Sequence, residues 1–512
     1  MFDKLKILVF TFIVSAGLIL NSCTELTVEN LNEPDLSKVF ANTDEMKSYA
    51  GSAFRVLHNA MQEYDGPASS MNVMADQGTC PWGFAAVKDL SSEPRRGFVN
   101  SLKYAYYPLV QVYWEECYSS LSIVNDILRV VNENKTDPHG GSSDIKMLQA
   151  WGYFVSGVAH GYLGLTFDQG DIVLWDNKTD TVKLVPWQEM IDVSLELLDK
   201  SIALADENNF IIPMEWMGGE EYTSLELTEL ANSYAARILV YSSRNEEHNN
   251  LIDWNRVLNY AENGINRNLQ PEMGDRFDFY NDYLTYAIYP GWVRIDHRII
   301  NLLDPDYPSR WPNDGVSWTT QNGQDPGPAQ SIDARLELDF EYLEENDFVP
   351  DRGYYHFSHY RHKRYDDFIA RVWYGDILHP TFLVWENELL KAEARLRTGS
   401  VNGALSILNN HDGARIRRGL LPELVSSNSN EVLWTIFYER DIELINTGMG
   451  ISYFDMRRRD QLQRGTILHF PVPAKELEIM QMEVYTVGGA PDGENISQGS
   501  WTGLDGLTSP LD

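Results

Sequence analysis

A chain of 512 residues with 43% hydrophobic and 12% aromatic residues supports a substantial buried core, in one large domain or two intimate ones, and excludes disorder. Its 75 acidic against 41 basic side chains give a formal charge of -34, a field that repels phosphate backbones and argues against nucleic acid and other polyanions as ligands. Three cysteines, Cys23, Cys80 and Cys117, are too few for a disulfide framework. A Cys80–Cys117 bridge and two isolated buried thiols both remain open.

The first 22 residues read as an export signal. Lys4 and Lys6 precede a largely apolar run from Ile7 to Leu20, too short for a comfortable transmembrane helix but suited to the core of a signal peptide. The run ends in Leu20-Asn21-Ser22-Cys23, which resembles a bacterial lipobox: a small residue the peptidase accepts, then a thiol that forms a thioether. Cys23 is therefore the expected lipidation site, and residues 23–37, with Asn32, Glu33 and Pro34, the expected polar tether. No later stretch is long and apolar enough to span a membrane, so the expectation is an anchored protein and not a spanning one.

Residues 38–264 carry helical periodicity. Apolar residues recur at three and four from Tyr104 to Val130, with Pro108 marking a kink or the first turn of a new helix. A second helix is expected from about Ser143 to Leu165, with Gly152, Gly157, Gly161 and Gly164 allowing close packing. Further helices are expected over Pro186 to Asp206, Leu225 to Tyr241 and Trp254 to Asn263. Short polar stretches separate them, so they read as stacked helical hairpins without a strict 34-residue consensus. Residues 265–380 change character, becoming rich in Pro, Gly, Asp and aromatics, and read as irregular structure of the kind that carries binding surfaces. Helical pattern returns in residues 381–512, with Phe382 to Thr398 and Val401 to Asn409. Phosphate-loop, dinucleotide, HExxH and GxSxG patterns are absent.

The last third carries motifs in a telling order. Glu386-Asn-Glu-Leu-Leu-Lys-Ala-Glu-Ala394, followed by Gly399, Ala404 and Leu408-Asn409, resembles a helical hairpin of the SusD/RagB family. Phe437-Tyr-Glu-Arg-Asp-Ile-Glu-Leu444 and Tyr453-Phe-Asp-Met-Arg457 resemble its ER…EL…FD-x-R signature, and Leu468 to Leu477 its closing segment. Upstream, Tyr113 to Asn125 and Ala150 to Asp171 are similar to two of its helices. The chain departs from the family at Thr447-Gly448 and Gly450, and has Leu383 where an arginine is usual.

The resemblance implies an all-α fold: a tetratricopeptide-like helix-pair superhelix with an inserted irregular helix and loop region. It further implies a cell-surface, outer-membrane nutrient-binding lipoprotein, the lid of a SusC-like TonB-dependent transporter, capturing an oligosaccharide, polysaccharide or peptide without a cofactor. Glu386, Glu393, Glu439, Arg440, Glu443, Asp455 and Arg457 are its structural signature residues here; Arg440, Glu443, Asp455 and Arg457 are expected to form a partly buried ion-pair network that fixes geometry. Two competing readings are an exported all-helical glycoside hydrolase and a transporter assembly subunit that holds no ligand.

A neutral glycan calls for exposed aromatic faces beside Asn, Asp, Gln or Arg side chains. Two stretches offer them: Met71 to Arg96, with Asn72, Asp76 and Trp82, and Phe277 to Trp318, with Tyr280, Tyr283, Trp292, Arg298, Trp311 and Trp318. A single aromatic residue here reads more readily as core, and the spacing of Tyr280, Tyr283, Tyr286 and Tyr289 is also that of one helical face. His356, His359 and His362 recur at three, but Arg361 and Lys363 disfavour a cation beside them. Asp304, Asp306 and Asp314 lack calcium-loop spacing, so no metal site is expected.

Overall fold

A computed structural model describes residues 43–80, 82–93, 95–133, 142–177, 182–273, 278–307, 309, 326–346, 357–371, 377–486 and 495–499. The architecture is helical. Its main helices are α1 (Thr43–Gln62), α2 (Pro108–Glu133), α3 (Ser142–Thr166), α4 (Trp187–Glu207), α5 (Ser224–Tyr241), α6 (Trp254–Glu262), α7 (Val384–Arg397), α8 (Val401–Leu408), α9 (Ser429–Glu443) and α10 (Ile451–Arg457). Each of the first eight packs on the next, and α9 returns to lie on α7, giving the tetratricopeptide-like stack. The strands are two or three residues long and pair only in twos among the described residues. No helix among the described residues is long and apolar enough to cross a membrane.

Local chemistry sets the helix limits. Pro108 opens α2, where its missing N–H would have had no intrahelical partner, and residues 104–107 form turns before it. Thr223 and Glu226 cap α5 reciprocally: the Thr223 side chain accepts from the Glu226 N–H, and the Glu226 carboxylate accepts from the Thr223 N–H at 2.8 Å. Asp253 accepts from the N–H groups of Asn255 and Arg256 at the start of α6. The glycines of α3 set its approach to its neighbours. A Cβ on Gly157 would lie 2.7 Å from Leu198 of α4, and one on Gly161 would lie 2.5 Å from Ile238 of α5.

The longest interruption of the stack lies between α6 and α7. α6 ends at Glu262 and α7 begins at Val384, yet the two helices pack directly together. The intervening chain loops out as short helices and strand pairs, and residues on it build a second, smaller core. There Ile295, Ile299, Leu303 and Phe340 meet Tyr438, Ile442 and Ile445 on and just after α9.

Buried ion pairs lock the C-terminal helices. Glu393 of α7 accepts from Arg458 at 2.7 and 2.9 Å, from Arg440 of α9, and from Arg397 at 3.2 Å; Asp455 of α10 accepts from Arg440 at 3.1 Å and Arg458 at 2.6 Å. Burial alone would raise the Glu393 carboxyl, but Arg458, Arg440 and Arg397 outweigh it and hold it well below the usual carboxylate range. Glu386 forms a bidentate pair with Arg237 of α5, whose guanidinium sits 3.5 Å from the centre of the Phe382 ring.

The expected single network is in fact divided, and it is fully buried. Glu439 and Glu443 belong to a separate cluster around Arg335, which also pairs with Asp333 at 2.7 Å. Among the described residues Arg457 has no carboxylate partner: it donates to the carbonyls of Leu165, Leu468 and Tyr241 at 2.8–2.9 Å. Leu165 and Tyr241 lie at the C-terminal ends of α3 and α5, where helix carbonyls have no intrahelical donor and the dipole favours a cation. Burial pushes the Arg457 guanidinium down to about 10.

Cys80 and Cys117 are both buried and are not bonded to each other, so the bridge does not form and the thiol alternative holds.

Four histidines, His58, His160, His362 and His379, are buried with depressed basicity. Burial pushes His58 down to about 3, and His160 and His379 down to about 4, from an ordinary 6.5. Their partners fit neutral rings: the Asn281 amide donates to His379 Nδ1 while Nε2 faces the Phe279 carbonyl, and His58 lies 5.1 Å from His379. Folding therefore excludes protons that the unfolded chain binds. Stability is expected to be full above about pH 6.5 and to fall as pH drops toward 4, by up to roughly 1.4 kcal/mol per histidine for each pH unit. Urea midpoints at about pH 7 and pH 5 measure this. His58→Gln should flatten the slope, and an equal midpoint at both values would contradict the assignment.

Candidate glycan-binding site

The site is built where two distant segments meet. Gly78 and Thr79 pair antiparallel with Ile295 and Arg294, which sets the loop after Thr79 beside the loop before Arg294. Each loop presents a tryptophan. Trp82 is 46% exposed, and its indole N–H donates to the Gly291 carbonyl at 3.4 Å. Trp292, half-buried, lies with its ring centre 6.1 Å from that of Trp82, the planes inclined by 37°.

Behind this pair the rings continue. Tyr286 meets Trp292 edge-on at 4.5 Å, Phe84 meets it edge-on at 5.5 Å, and Tyr64 stacks on Tyr286 at 4.3 Å. Trp82, Trp292, Tyr286 and Tyr64 thus form a run of rings of which none is fully buried, with Phe84 as a support. The loop carrying Trp82 is held firmly. Ala85 and Ala86 take left-handed φ values of 44° and 54°, which cost alanine about 1–2 kcal/mol each. The Ala85 N–H donates to Asp65 at 2.7 Å and its carbonyl accepts from Ser70 at 2.7 Å, fixing that shape. At Gly83 a side chain has no room, since a Cβ would lie 2.4 Å from the Tyr106 hydroxyl.

Carboxyl groups edge the rings. Asp282 and Glu63 are hydrogen-bonded to each other, and Tyr280 donates to Asp282. Burial and the neighbouring Glu63 push the Asp282 carboxyl up to about 7, so Asp282 is partly protonated near neutrality. Asp65 is raised by burial.

Four of the residues singled out from sequence lie beneath this surface and not on it. Asn72 is buried and donates to Gln77 at 2.8 Å and to the Tyr283 hydroxyl at 2.9 Å; Tyr283, also buried, donates to Asn446 at 2.8 Å. Asp76 is paired with Arg95, and Arg298 donates to the Asp76 carbonyl and to Asp441, both at 3.2 Å. These polar groups bond to one another and to Gln77, Arg95, Asp441 and Asn446, which makes them the mounting of the two loops. Tyr280 is half-buried at the carboxyl edge. The tyrosine spacing does not mark one helical face, because the helix spans only Asp282–Ile288 and Tyr280 and Tyr289 fall outside it. Trp311, Trp318 and Cys23 lie outside the described residues, as does His356. His362 lies on an extended strand, and no group of three or more His, Cys, Asp or Glu side chains among the described residues is placed to hold a metal.

Glu63, Tyr64 and Phe84 went unremarked in the sequence. Their only local signal is the aromatic and acidic run Glu63-Tyr64-Asp65 immediately after α1.

No protein-family model matches the sequence, and no curated protein is detectably similar to it. Solved structures do match along most of their length. A SusD superfamily protein from Bacteroides vulgatus is 16% identical with a TM-score of 0.60, over 86% of this chain and 97% of that one. A SusD superfamily protein from Parabacteroides distasonis is 13% identical with a TM-score of 0.59, over 88% and 98%. A surface glycan-binding protein A from Bacteroides uniformis is 14% identical with a TM-score of 0.54, over 90% and 98%. The fold of this chain is the SusD fold.

Proposed function

We propose that the protein is a SusD/RagB superfamily member that binds a nutrient glycan at the cell surface and delivers it to a TonB-dependent outer-membrane transporter. The observation that carries this reading is the run Trp82, Trp292, Tyr286 and Tyr64: large apolar rings left partly in solvent beside one another. Such rings suit the apolar faces of pyranoses, while the carboxyl edge offers acceptors for hydroxyls. The relatives support the class, since those of the same fold include proteins described as carbohydrate-binding and glycan-binding. The lipobox-like Cys23 supplies the anchor in this reading, with the tether giving reach from the membrane.

The geometry disfavours hydrolysis at this site. Retaining and inverting glycosidases hold their two carboxyl groups at least about 5 Å apart, on opposite sides of the scissile bond. Glu63 and Asp282 are in hydrogen-bond contact with each other.

The test is to isolate the native lipoprotein from gently solubilised outer membranes and identify what accompanies it. A TonB-dependent barrel in about equal amount is the expected result. The purified protein should retain a glycan without releasing reducing ends. Recovery of the protein alone, or release of reducing sugar, would overturn the proposal.

A further inference from the structure

The aromatic run draws on three stretches far apart in sequence: Tyr64 after α1, Trp82 and Phe84 after Thr79, and Tyr286 with Trp292 in the inserted region. The middle stretch takes a shape that its own residues oppose. Between Phe84 and Val87 the chain reverses in a turn closed by the Val87 N–H, which donates to the Phe84 carbonyl at 2.9 Å. The central residues, Ala85 and Ala86, both take positive φ, as a type I′ turn requires, and glycine or asparagine ordinarily fills such positions. A methyl group at each makes the turn unfavourable by itself, so contacts from outside must hold it.

Two contacts do so, and both come from the chain just after α1. Asp65, half-buried, accepts from the Ala85 N–H at 2.7 Å, and Ser70 of the buried helix Pro67–Met74 donates to the Ala85 carbonyl at 2.7 Å. That chain is itself fixed. The Gly66 N–H donates to the Glu63 carbonyl at 3.1 Å, and the Ser69 hydroxyl to the Tyr64 carbonyl at 2.6 Å. It reaches the inserted region as well: Tyr64 stacks on Tyr286 at 4.3 Å, and its N–H donates to Asp282. The Tyr64 ring also lies 5.6 Å from that of Phe84. Tyr64 and Asp65 are neighbours, so one ring of the run and the brace of the Trp82 loop share a single fixed stretch of backbone.

Resting on the glycan-binding reading above, we propose that Asp65 is a positioning residue of the aromatic platform, holding the alanine turn so that Trp82 and Phe84 stay aligned with Tyr64 and Tyr286. It acts through the loop and not by touching the ligand. A glycan gains from several rings at once only when they are already in place, and a loop that must be ordered on binding subtracts that cost from the affinity. An asparagine at this position keeps the acceptor and loses the charge, which separates bracing from a charged contact with the ligand.

The experiment titrates neutral hexasaccharides of glucose, mannose, xylose and N-acetylglucosamine into the full-length protein and its variants, and follows amide hydrogen exchange over residues 82–87 without ligand. For the glycan that binds the unaltered protein most tightly, Asp65→Ala is expected to lower the affinity about tenfold and to speed exchange over that loop, with little change in thermal midpoint. Asp65→Asn, whose side-chain carbonyl can still accept from Ala85, should restore both. Ser70→Ala, which removes the other brace, should shift both in the direction of Asp65→Ala. Unchanged affinity in Asp65→Ala, an equally deep loss in Asp65→Asn, or unaltered exchange in both Asp65→Ala and Ser70→Ala would overturn the proposal. The glycan-binding reading fails separately, if none of the hexasaccharides binds or if Trp82→Ala with Trp292→Ala leaves the affinity unmoved; the exchange measurement still decides whether Asp65 holds the loop.

Discussion

Removing both exposed tryptophans, as Trp82→Ala with Trp292→Ala, is expected to weaken glycan binding by more than about 100-fold, with each single change costing about 30-fold, or roughly 2 kcal/mol. The two rings differ in what else they do. Trp82 is nearly half exposed and makes one long hydrogen bond to Gly291, so its loss should leave the thermal midpoint nearly unchanged. Trp292 also packs on Phe84 and Tyr286, so its removal should lower the midpoint somewhat as well as the affinity. Titration calorimetry alongside thermal unfolding separates the two effects. Unchanged affinity in the double variant, with the fold intact, would remove the platform from the account.

The largest loss of stability is expected at a residue far from that surface. Glu393→Ala deletes one of the two carboxylates shared by Arg440 and Arg458, both fully buried, and leaves Asp455 alone to balance them. Breaking a buried pair from one side costs about 3–5 kcal/mol, because the remaining charges stay where water cannot reach them. Arg397→Ala provides the contrast. Arg397 contacts the same carboxylate at 3.2 Å but is partly solvated, and its loss should cost less than about 1 kcal/mol. Urea unfolding of the two variants decides the matter: similar costs would mean that the network is not held together by Glu393.

How far the residues alone reveal this molecule differs between scaffold and site. Helices α2 to α8 fall within a few residues of their periodic patterns, since an amphipathic stripe is a local property written every third or fourth position. Pro108 and the α3 glycines carried their meaning directly, because a ring without an N–H and a missing Cβ each permit few structural roles. The site is different in kind. Asn72, Asp76 and Arg298 have the composition of a ligand site, yet they satisfy one another across more than two hundred residues of sequence, and no local pattern distinguishes a polar mounting from a polar surface. Tyr64 and Trp292 join one surface only because Gly78 and Thr79 find Arg294 and Ile295. Arg457 shows the same limit: its motif predicted a carboxylate partner, but helix ends brought together by packing offered carbonyls instead.

The direct packing of α6 on α7 has a kinetic consequence. Bringing together helices that flank an excursion from Glu262 to Val384 means closing a loop of roughly 120 residues, an entropic toll about 2 kcal/mol greater than for a ten-residue turn. Helices α2 to α6 pack on neighbours close in sequence, whereas α7 must wait for the whole excursion to be made. The face of α6 that α7 covers is therefore buried late in folding.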